Sequence, residues 1–327
     1  MSDPRFHVLI VGCGQLGSRH LQAVAQLADV ASIDVVDPRS EALELGKQRL
    51  AELGHTAAPV RWLPSLTDAA ADGGLCIVAT QADGRCELVR QVVEQLGYRA
   101  FLLEKLVAQS MDDYESIKAL CDARGVAAWV NCKTRAYPFH QYVKRRLDPS
   151  EPLVMHITGG NHGLANNGIH GADLFAFYDG CERIELAGAR IDPVLHRTKR
   201  GHYDLSGTLH GFTMKGSHFA LTYASDHAQS EQISITTRRY RCIVDQLERW
   251  AMESDASTGW TWWPVPFEGD LTVSAMTKTF ARDILRTGSC ELPTLAQCAV
   301  GHRFILDSLQ PQFSQLLEQP VGRCPVT

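Results

Sequence analysis

Hydrophobic and polar positions fall into two textures along the chain. Through about residue 135, short solid apolar runs alternate with stretches whose apolar positions recur every three or four residues. The runs "HVLIVG" (7–12), "SIDVVD" (32–37), "LCIVAT" (75–80), "RAFLLEK" (99–105) and "VAAWVN" (126–131) predict buried strands. The periodic stretches "SRHLQAVAQLA" (18–28) and "SEALELGKQRLAELG" (40–54) predict helices, and helix-like segments separate the later strands. Strands alternating with helices imply right-handed crossovers, hence a parallel sheet with helices on both faces.

After residue 150 the runs shorten and succeed one another across short turns. "PLVMHITGG", "IELAGARID", "DLSGTLHGF", "SHFALTYAS" and "EQISITTRRYRCIVDQ" predict a largely antiparallel sheet. One helix, Ile169–Tyr178, stands near its start, and two more, near 274–287 and 294–309, close the chain. Pro293-Thr294 is the start signal for the last. A domain boundary falls between Asn131 and Ser150.

Composition narrows the classes. The 327 residues suffice for two domains of ordinary size. A net charge of −5 and no basic block beyond Arg145-Arg146 and Arg238-Arg239 argue against nucleic acid. No apolar run approaches the roughly 20 residues of a membrane span, so no membrane partner is expected. The start, "MSDPRFHVLIVGCG", lacks the pattern of a secretion signal. Ten scattered cysteines without a Cys-x-x-Cys pair read as reduced, small hydrophobes of a cytoplasmic protein rather than as a disulfide or zinc framework.

"VGCGQLG" places Gly12, Gly14 and Gly17 in Gly-x-Gly-x-x-Gly spacing, directly after a predicted strand and at the mouth of a helix. In that context the pattern is a dinucleotide fingerprint. The first glycine makes the turn, the second admits the pyrophosphate, and the third lets helix and strand pack. Asp37, closing the second strand, is placed to accept from a ribose 2′-hydroxyl and to favour NAD. Arg39 nearby weakens that preference, since a guanidinium pairs with a 2′-phosphate, so NADP stays open. The predicted cofactor set is Gly12, Gly14, Gln15, Leu16, Gly17, Asp37, Arg39, Thr80, Gln81, Glu104 and Lys105.

"VGCGQLGSRH", the Glu104-Lys105 of "LLEKLVAQS" (102–110), Arg135–Pro138 and "GIHGAD" (168–173) together resemble the Gfo/Idh/MocA family. Even "ELPTLAQCAVGHRFILDSL" (291–309) resembles its closing helix. The resemblance implies an α/β protein: a Rossmann domain over 1–131, then a substrate-binding and oligomerisation domain over 132–327, built on an open, mostly antiparallel sheet. It implies a nicotinamide-dependent oxidoreductase that interconverts a secondary alcohol and a ketone on a sugar, a polyol or a sugar derivative. A homo-oligomer, dimer or tetramer, is implied as well. Redox-neutral relatives, an epimerase or a glycosidase with recycled NAD, use the same parts. A non-catalytic NAD(P)-binding sensor is the reading from another class.

Two departures from the family pattern stand out. The usual Glu-Lys-Pro is Glu104-Lys105-Leu106, so a backbone change around Lys105 is expected, because a cis bond before a non-proline residue costs about 2.5–4 kcal/mol. The usual Asp-x-Gly-x-His-x-x-Asp has Asn166 in its first place, followed by Gly168, His170 and Asp173.

Alcohol oxidation needs a base for the hydroxyl proton and a group for the developing alkoxide. The resemblance assigns these catalytic roles to His170 and Lys105. Asn166 can orient an imidazole but brings no charge, and it also reads as a turn residue. Lys105 itself, Asp173 or His162 would then compensate. The predicted substrate set is Asn166, Asp173, Arg135 and His162, and Arg85 is a further cation for an anionic substrate group. His156, His162, His170 and Asp173 have no metal-ligand spacing, so no metal is expected. "GWTWWPVPF" (259–267) is read as core or oligomer-interface packing, with stacking on a sugar ring as the alternative.

Overall fold

The computed structural model describes residues 5–56 and 58–327. Met1–Pro4, which open the stretch read as lacking a secretion signal, and Ala57 lie outside the described residues. The chain forms two compact units. The first holds the described residues up to Ala108, with Asp112–Lys133 and Asp270–Ala296; the second holds Gln109–Met111, Thr134–Gly269 and Gln297–Thr327.

Six parallel strands make the first unit's sheet: β1 (Phe6–Val11), β2 (Val30–Val36), β3 (Val60–Leu63), β4 (Leu75–Val78), β5 (Ala100–Leu103) and β6 (Ala127–Val130). Their order is β3-β2-β1-β4-β5-β6. Every residue of β4 is buried, as are the last four of β1, because helices cover both faces. The crossovers carry α1 (Gly17–Val24), α2 (Ser40–Ala51), α3 (Arg85–Gln95) and α4 (Met111–Arg124). The order reverses between β1 and β4, so the crevice beyond their carboxyl ends is where such sheets take ligands.

The second unit begins with α5 (Pro138–Arg146), whose Pro138 sits in the first turn, where its missing N–H costs nothing. There follow β7 (Val154–Gly159), α6 (Gly168–Asp179), β8 (Glu185–Ile191), the short pair β9 (His196–Arg197) and β10 (Tyr203–Asp204), β11 (Gly207–Phe212) and β12 (His218–Tyr223). Then come β13 (Gln232–Thr236), β14 (Tyr240–Asp245), β15 (Trp250–Asp255) and β16 (Trp263–Val265). Eight of these strands form one sheet in the order β16-β15-β14-β13-β7-β12-β11-β8. All its pairings are antiparallel except β12 with β7. Along β7 exposed and buried residues alternate strictly, the period-two mark of a sheet with one open face.

Helix α7 (Val273–Thr287) returns to the first unit and packs on α1, while nearly all of α8 (Leu295–Leu316) belongs to the second. All ten cysteines are free thiols. No helix among the described residues is long and apolar enough to cross a membrane.

Candidate functional site

In the first unit the candidate residues begin at the glycine turn after β1. Gly12 has φ +89°, and a Cβ on it would lie 2.9 Å from the main chain of Ala79 and Thr80. A Cβ on Gly17 would lie 1.8 Å from the carbonyl oxygen of Gly12, so the third glycine is what allows α1 to start against the turn. Asp37 binds the turn to β2: its Oδ2 accepts from the Cys13 N–H at 2.8 Å. Burial pushes the Asp37 carboxyl up, but the bonds from Arg39 and Cys13 outweigh it and hold the group ionised, below the usual range.

Arg39 folds onto this carboxylate, donating from its main-chain N–H at 3.0 Å and from Nε and Nη2 at 3.2 and 3.1 Å. The guanidinium read as a counter-charge for a 2′-phosphate is thus engaged by Asp37. Gln15 is held by Arg49 of α2, which donates to its carbonyl oxygen and to Ser18 Oγ, both at 2.6 Å, and to its side-chain oxygen. Leu16 precedes α1 in helical conformation and offers the helix no side-chain cap. Gly14 and Leu16 are half-buried. Gln81 follows Thr80 on the loop from β4 to α3. Just past β4, Thr80 Oγ1 is buried and has no hydrogen-bond partner among the described residues. An orphaned hydroxyl beside a turn that only glycine fits is what a nicotinamide dinucleotide at this crevice would satisfy.

Glu104 and Lys105 follow β5. Glu104 is buried, and its Oε1 accepts from His20 Nε2 at 2.8 Å and from Asn131 Nδ2 at 2.6 Å. His20 Nδ1 pairs with Thr277 Oγ1 of α7 at 2.8 Å. Burial pushes the Glu104 carboxyl up; the His20 and Asn131 hydrogen bonds and the Lys105 charge override it and bring it to about 2. Glu104, predicted among the cofactor ligands, is therefore a buried anion whose partners fix the backbone on which Lys105 stands. The Lys105–Leu106 peptide is cis, at the place where the missing proline led to the expectation of a changed backbone.

Arg85 explains how this loop is held. Its guanidinium is buried and donates to the carbonyl oxygens of Glu104 at 2.5 Å, Val107 at 3.3 Å, Leu106 and Thr80. Burial lowers it to about 10, still charged at neutral pH. Arg85 as a cation for substrate is corrected: its donors serve backbone.

In the second unit the loop before α6 carries the remaining candidates. Asn161 and His162 both have left-handed backbone, with φ of 59° and 47°. The His162 ring stacks on His196 of β9, centroids 4.4 Å apart and planes 7° from parallel. Asp204 Oδ1 accepts from the N–H groups of Ala165, Asn166 and Leu205. Asn166 donates from Nδ2 to the Tyr203 carbonyl at 3.0 Å and accepts at Oδ1 from the Thr327 N–H at 2.6 Å. His170 lies in the first turn of α6, half-buried, with its N–H on the Asn167 carbonyl at 2.9 Å.

Arg135 and Asp173, predicted to bind substrate, are buried and joined by two parallel bonds, Nε to Oδ2 at 2.7 Å and Nη2 to Oδ1 at 2.6 Å. Arg135 also lies over the Phe177 ring at 5.1 Å. Burial pushes the Asp173 carboxyl up while Arg135 pulls it down. This pair fastens the start of the second unit to α6, and neither member is presented to solvent as a ligand group.

The tryptophan run divides. Trp260 and Trp262 lie on Arg241, their ring centroids 5.0 and 4.6 Å from its guanidinium carbon, and Trp263 Nε1 donates to Glu253 at 3.1 Å. Neither the packing nor the sugar-stacking reading of the run included the Arg241 guanidinium. Sequence reasoning also missed Arg49, Asn131, Thr277, His196 and Asp204. Only His20 had a local signal, three residues after the last fingerprint glycine.

Residues 6–132 match the family model described as an oxidoreductase family with an NAD-binding Rossmann fold. No curated protein matches the chain. Among solved structures, the chain is similar to UDP-N-acetylglucosamine 3-dehydrogenase GnnA from Acidithiobacillus ferrooxidans, with TM-score 0.72 and 18% identity over 94% of this chain and 96% of that one. It is similar to the WlbA dehydrogenase from Bordetella pertussis, solved with NADH and UDP-GlcNAcA: TM-score 0.71, 18% identity, 95% and 97% covered. KijD10, a 3-ketoreductase from Actinomadura kijaniata solved with TDP-benzene and NADP, gives TM-score 0.70 at 17% identity, 93% and 96% covered. At these identities the likeness is one of fold.

Proposed function

We propose, from the match of residues 6–132 to the NAD-binding Rossmann model of the Gfo/Idh/MocA oxidoreductases, that the protein is an NAD(P)-dependent oxidoreductase interconverting a secondary alcohol and a ketone on a sugar or sugar derivative. The observation that carries this reading is the geometry around Lys105. Four carbonyls on one buried guanidinium and one buried carboxylate on two partners fix the backbone at the end of β5, where a lysine is retained. So much fixed structure under a charged side chain is the support expected of a group that must be held still.

When bound, the nicotinamide supplies the hydride acceptor or donor. Lys105 stabilises the oxyanion that develops as the hydroxyl proton leaves, and His170 takes that proton in the oxidation direction. Asn166 orients the loop ahead of α6 rather than charging the imidazole, because both ends of its amide are engaged by main chain.

Nicotinamide absorbance, followed with NAD or NADP against sugars, polyols, acidic sugars and nucleotide sugars, tests the reading. Nucleotide sugars join the panel because two of the similar structures are dehydrogenases or reductases solved with nucleotide ligands. At saturating cofactor, Lys105→Met is expected to lower kcat by about 10²-fold or more. Unchanged kcat would remove Lys105 from the mechanism. The engagement of Asn166 is the observation that favours the second reading, a cofactor-binding sensor. That reading predicts NADH binding with no turnover across the panel.

A further inference from the structure

The β9–β10 hairpin carries three cations that meet no carboxylate among the described residues, although Arg197 also lies over the Tyr203 ring, 5.9 Å from its centroid. In "HRTKRGH" (196–202), Arg197, Lys199 and Arg200 are all exposed, and none of them makes an ion pair among the described residues. Elsewhere in the same unit arginines do meet carboxylates, as Arg135 meets Asp173 and Arg146 meets Asp255. Three cations without an anionic partner within four positions stand out in a chain whose net charge is −5.

The hairpin is anchored. Tyr203 N–H donates to the Pro325 carbonyl at 2.8 Å, and the Tyr203 carbonyl accepts from Asn166. Asp204, the last residue of β10, holds the N–H groups of Ala165 and Asn166. The hairpin closes on itself through Thr198 N–H to the His202 carbonyl at 2.8 Å. Its first residue, His196, stacks on His162, whose left-handed backbone fixes the imidazole there. No side-chain hydrogen bond to His162 is present among the described residues. The cations are thus tied to the same loop that leads into His170.

We infer that this hairpin recognises phosphate on the substrate: Arg197, Lys199 and Arg200, with the His162 imidazole, take the phosphate groups of a phosphate-bearing sugar of the nucleoside-diphosphate kind. The inference rests on the function proposed above for its substrate class. Guanidinium groups pair with phosphate oxygens through two parallel bonds, and lysine adds a compact charge, which suits a diphosphate better than a neutral sugar. A polyanion spanning several cations also uses them together, where a single exposed pair would contribute little.

The test is calorimetric titration of the NADH-saturated protein with inorganic pyrophosphate, UDP and uridine. Expected is competition between pyrophosphate and UDP for one site, with uridine at least tenfold weaker. The triple variant R197Q/K199Q/R200Q should raise both dissociation constants about tenfold or more and leave that of NADH unchanged, which also shows that the variant is folded. Wild-type affinity in the triple variant overturns the inference, as does absence of pyrophosphate and UDP binding to the wild type. Pyrophosphate binding that disappears on saturation with NADH overturns it too, since the ion would then be reporting the cofactor crevice. Hairpin-dependent UDP binding without turnover on any substrate would sink the proposed function and leave this inference standing. Turnover on an unphosphorylated sugar, unaffected by the triple variant, would do the reverse.

Discussion

Replacing Glu104 by Gln removes one charge from beneath Lys105 and leaves the shape nearly unchanged. The wild-type carboxyl ordinarily titrates at 4.5 and is held here at about 2. That depression corresponds to roughly 3 kcal/mol of preference for the anion in the folded state. Part survives in Glu104→Gln, because the amide oxygen can still accept from Asn131, and a neutral amide costs less to bury than a carboxylate. A loss of about 2–3 kcal/mol at pH 7 is therefore expected, lowering the first unit's thermal transition by about 5–10 °C. The pH dependence identifies the cause. A depressed folded-state pKa gives stability that is present above 4.5 and lost as pH falls through about 2. Wild type and variant should thus converge on acidification, with roughly 2 kcal/mol of the gap gone by pH 3. Scanning calorimetry or urea unfolding at pH 7, 4 and 3 measures it. A gap that stays constant over that range would show that the variant acts through packing, and a gap under about 0.5 kcal/mol at pH 7 would show that the anion is not stabilised.

Three further outcomes follow from the same structure. Gly17→Ala sets a Cβ 1.8 Å from the Gly12 carbonyl oxygen, so the turn must move; NADH affinity should fall at least about 30-fold with a loss of 1–3 kcal/mol, and an unchanged fluorescence titration contradicts this. Asp173→Asn leaves Arg135 as a buried, uncompensated cation and should cost about 3–5 kcal/mol in urea unfolding, whereas Arg135→Met with Asp173→Leu should recover most of it. Asn166→Ala releases the Tyr203 carbonyl and the Thr327 N–H and should cost about 1–2 kcal/mol, with faster proteolysis of residues 320–327 read by mass spectrometry. Asn166→Asp keeps the bond from Thr327 but turns a carboxylate against the Tyr203 carbonyl, so it should not restore what the family's aspartate provides.

In the first unit the strands most legible in the sequence are those whose residues form buried runs. β1, β4, β5 and β6 stand as solid apolar runs because helices cover them twice. β3 was not predicted: as an edge strand it carries Arg61 beside Trp62, has no fully buried residue, and so leaves neither a run nor an alternation. α1 ends at Val24 where the apolar periodicity continues to residue 28, and α8 runs on to Leu316 through Pro311, past its predicted end. The glycine turn was readable because its spacing encodes a local geometry. The loop at Lys105 was not, because what holds it comes from α1, α3, α7 and β6, and a missing proline says nothing about a buried arginine elsewhere. Asp173 suggested a substrate contact through the family pattern, and Arg135 through its charge. Burial, which turns polar side chains into fasteners, is a property of the packed unit and has no local signature.

The first unit is discontinuous, and that fixes the timing of its completion on the ribosome. His20 of α1 and Thr277 of α7 bond although 257 residues separate them. At ordinary elongation rates, roughly 13–50 s pass between synthesis of the two. Throughout that interval the sheet can pair, but the apolar flank of α1 lacks its cover and His20 one of its two partners. A nascent chain in this state presents a surface suited to chaperones and to wrong neighbours. The nucleotide half begins first, yet it cannot be finished until most of the second unit has already been translated.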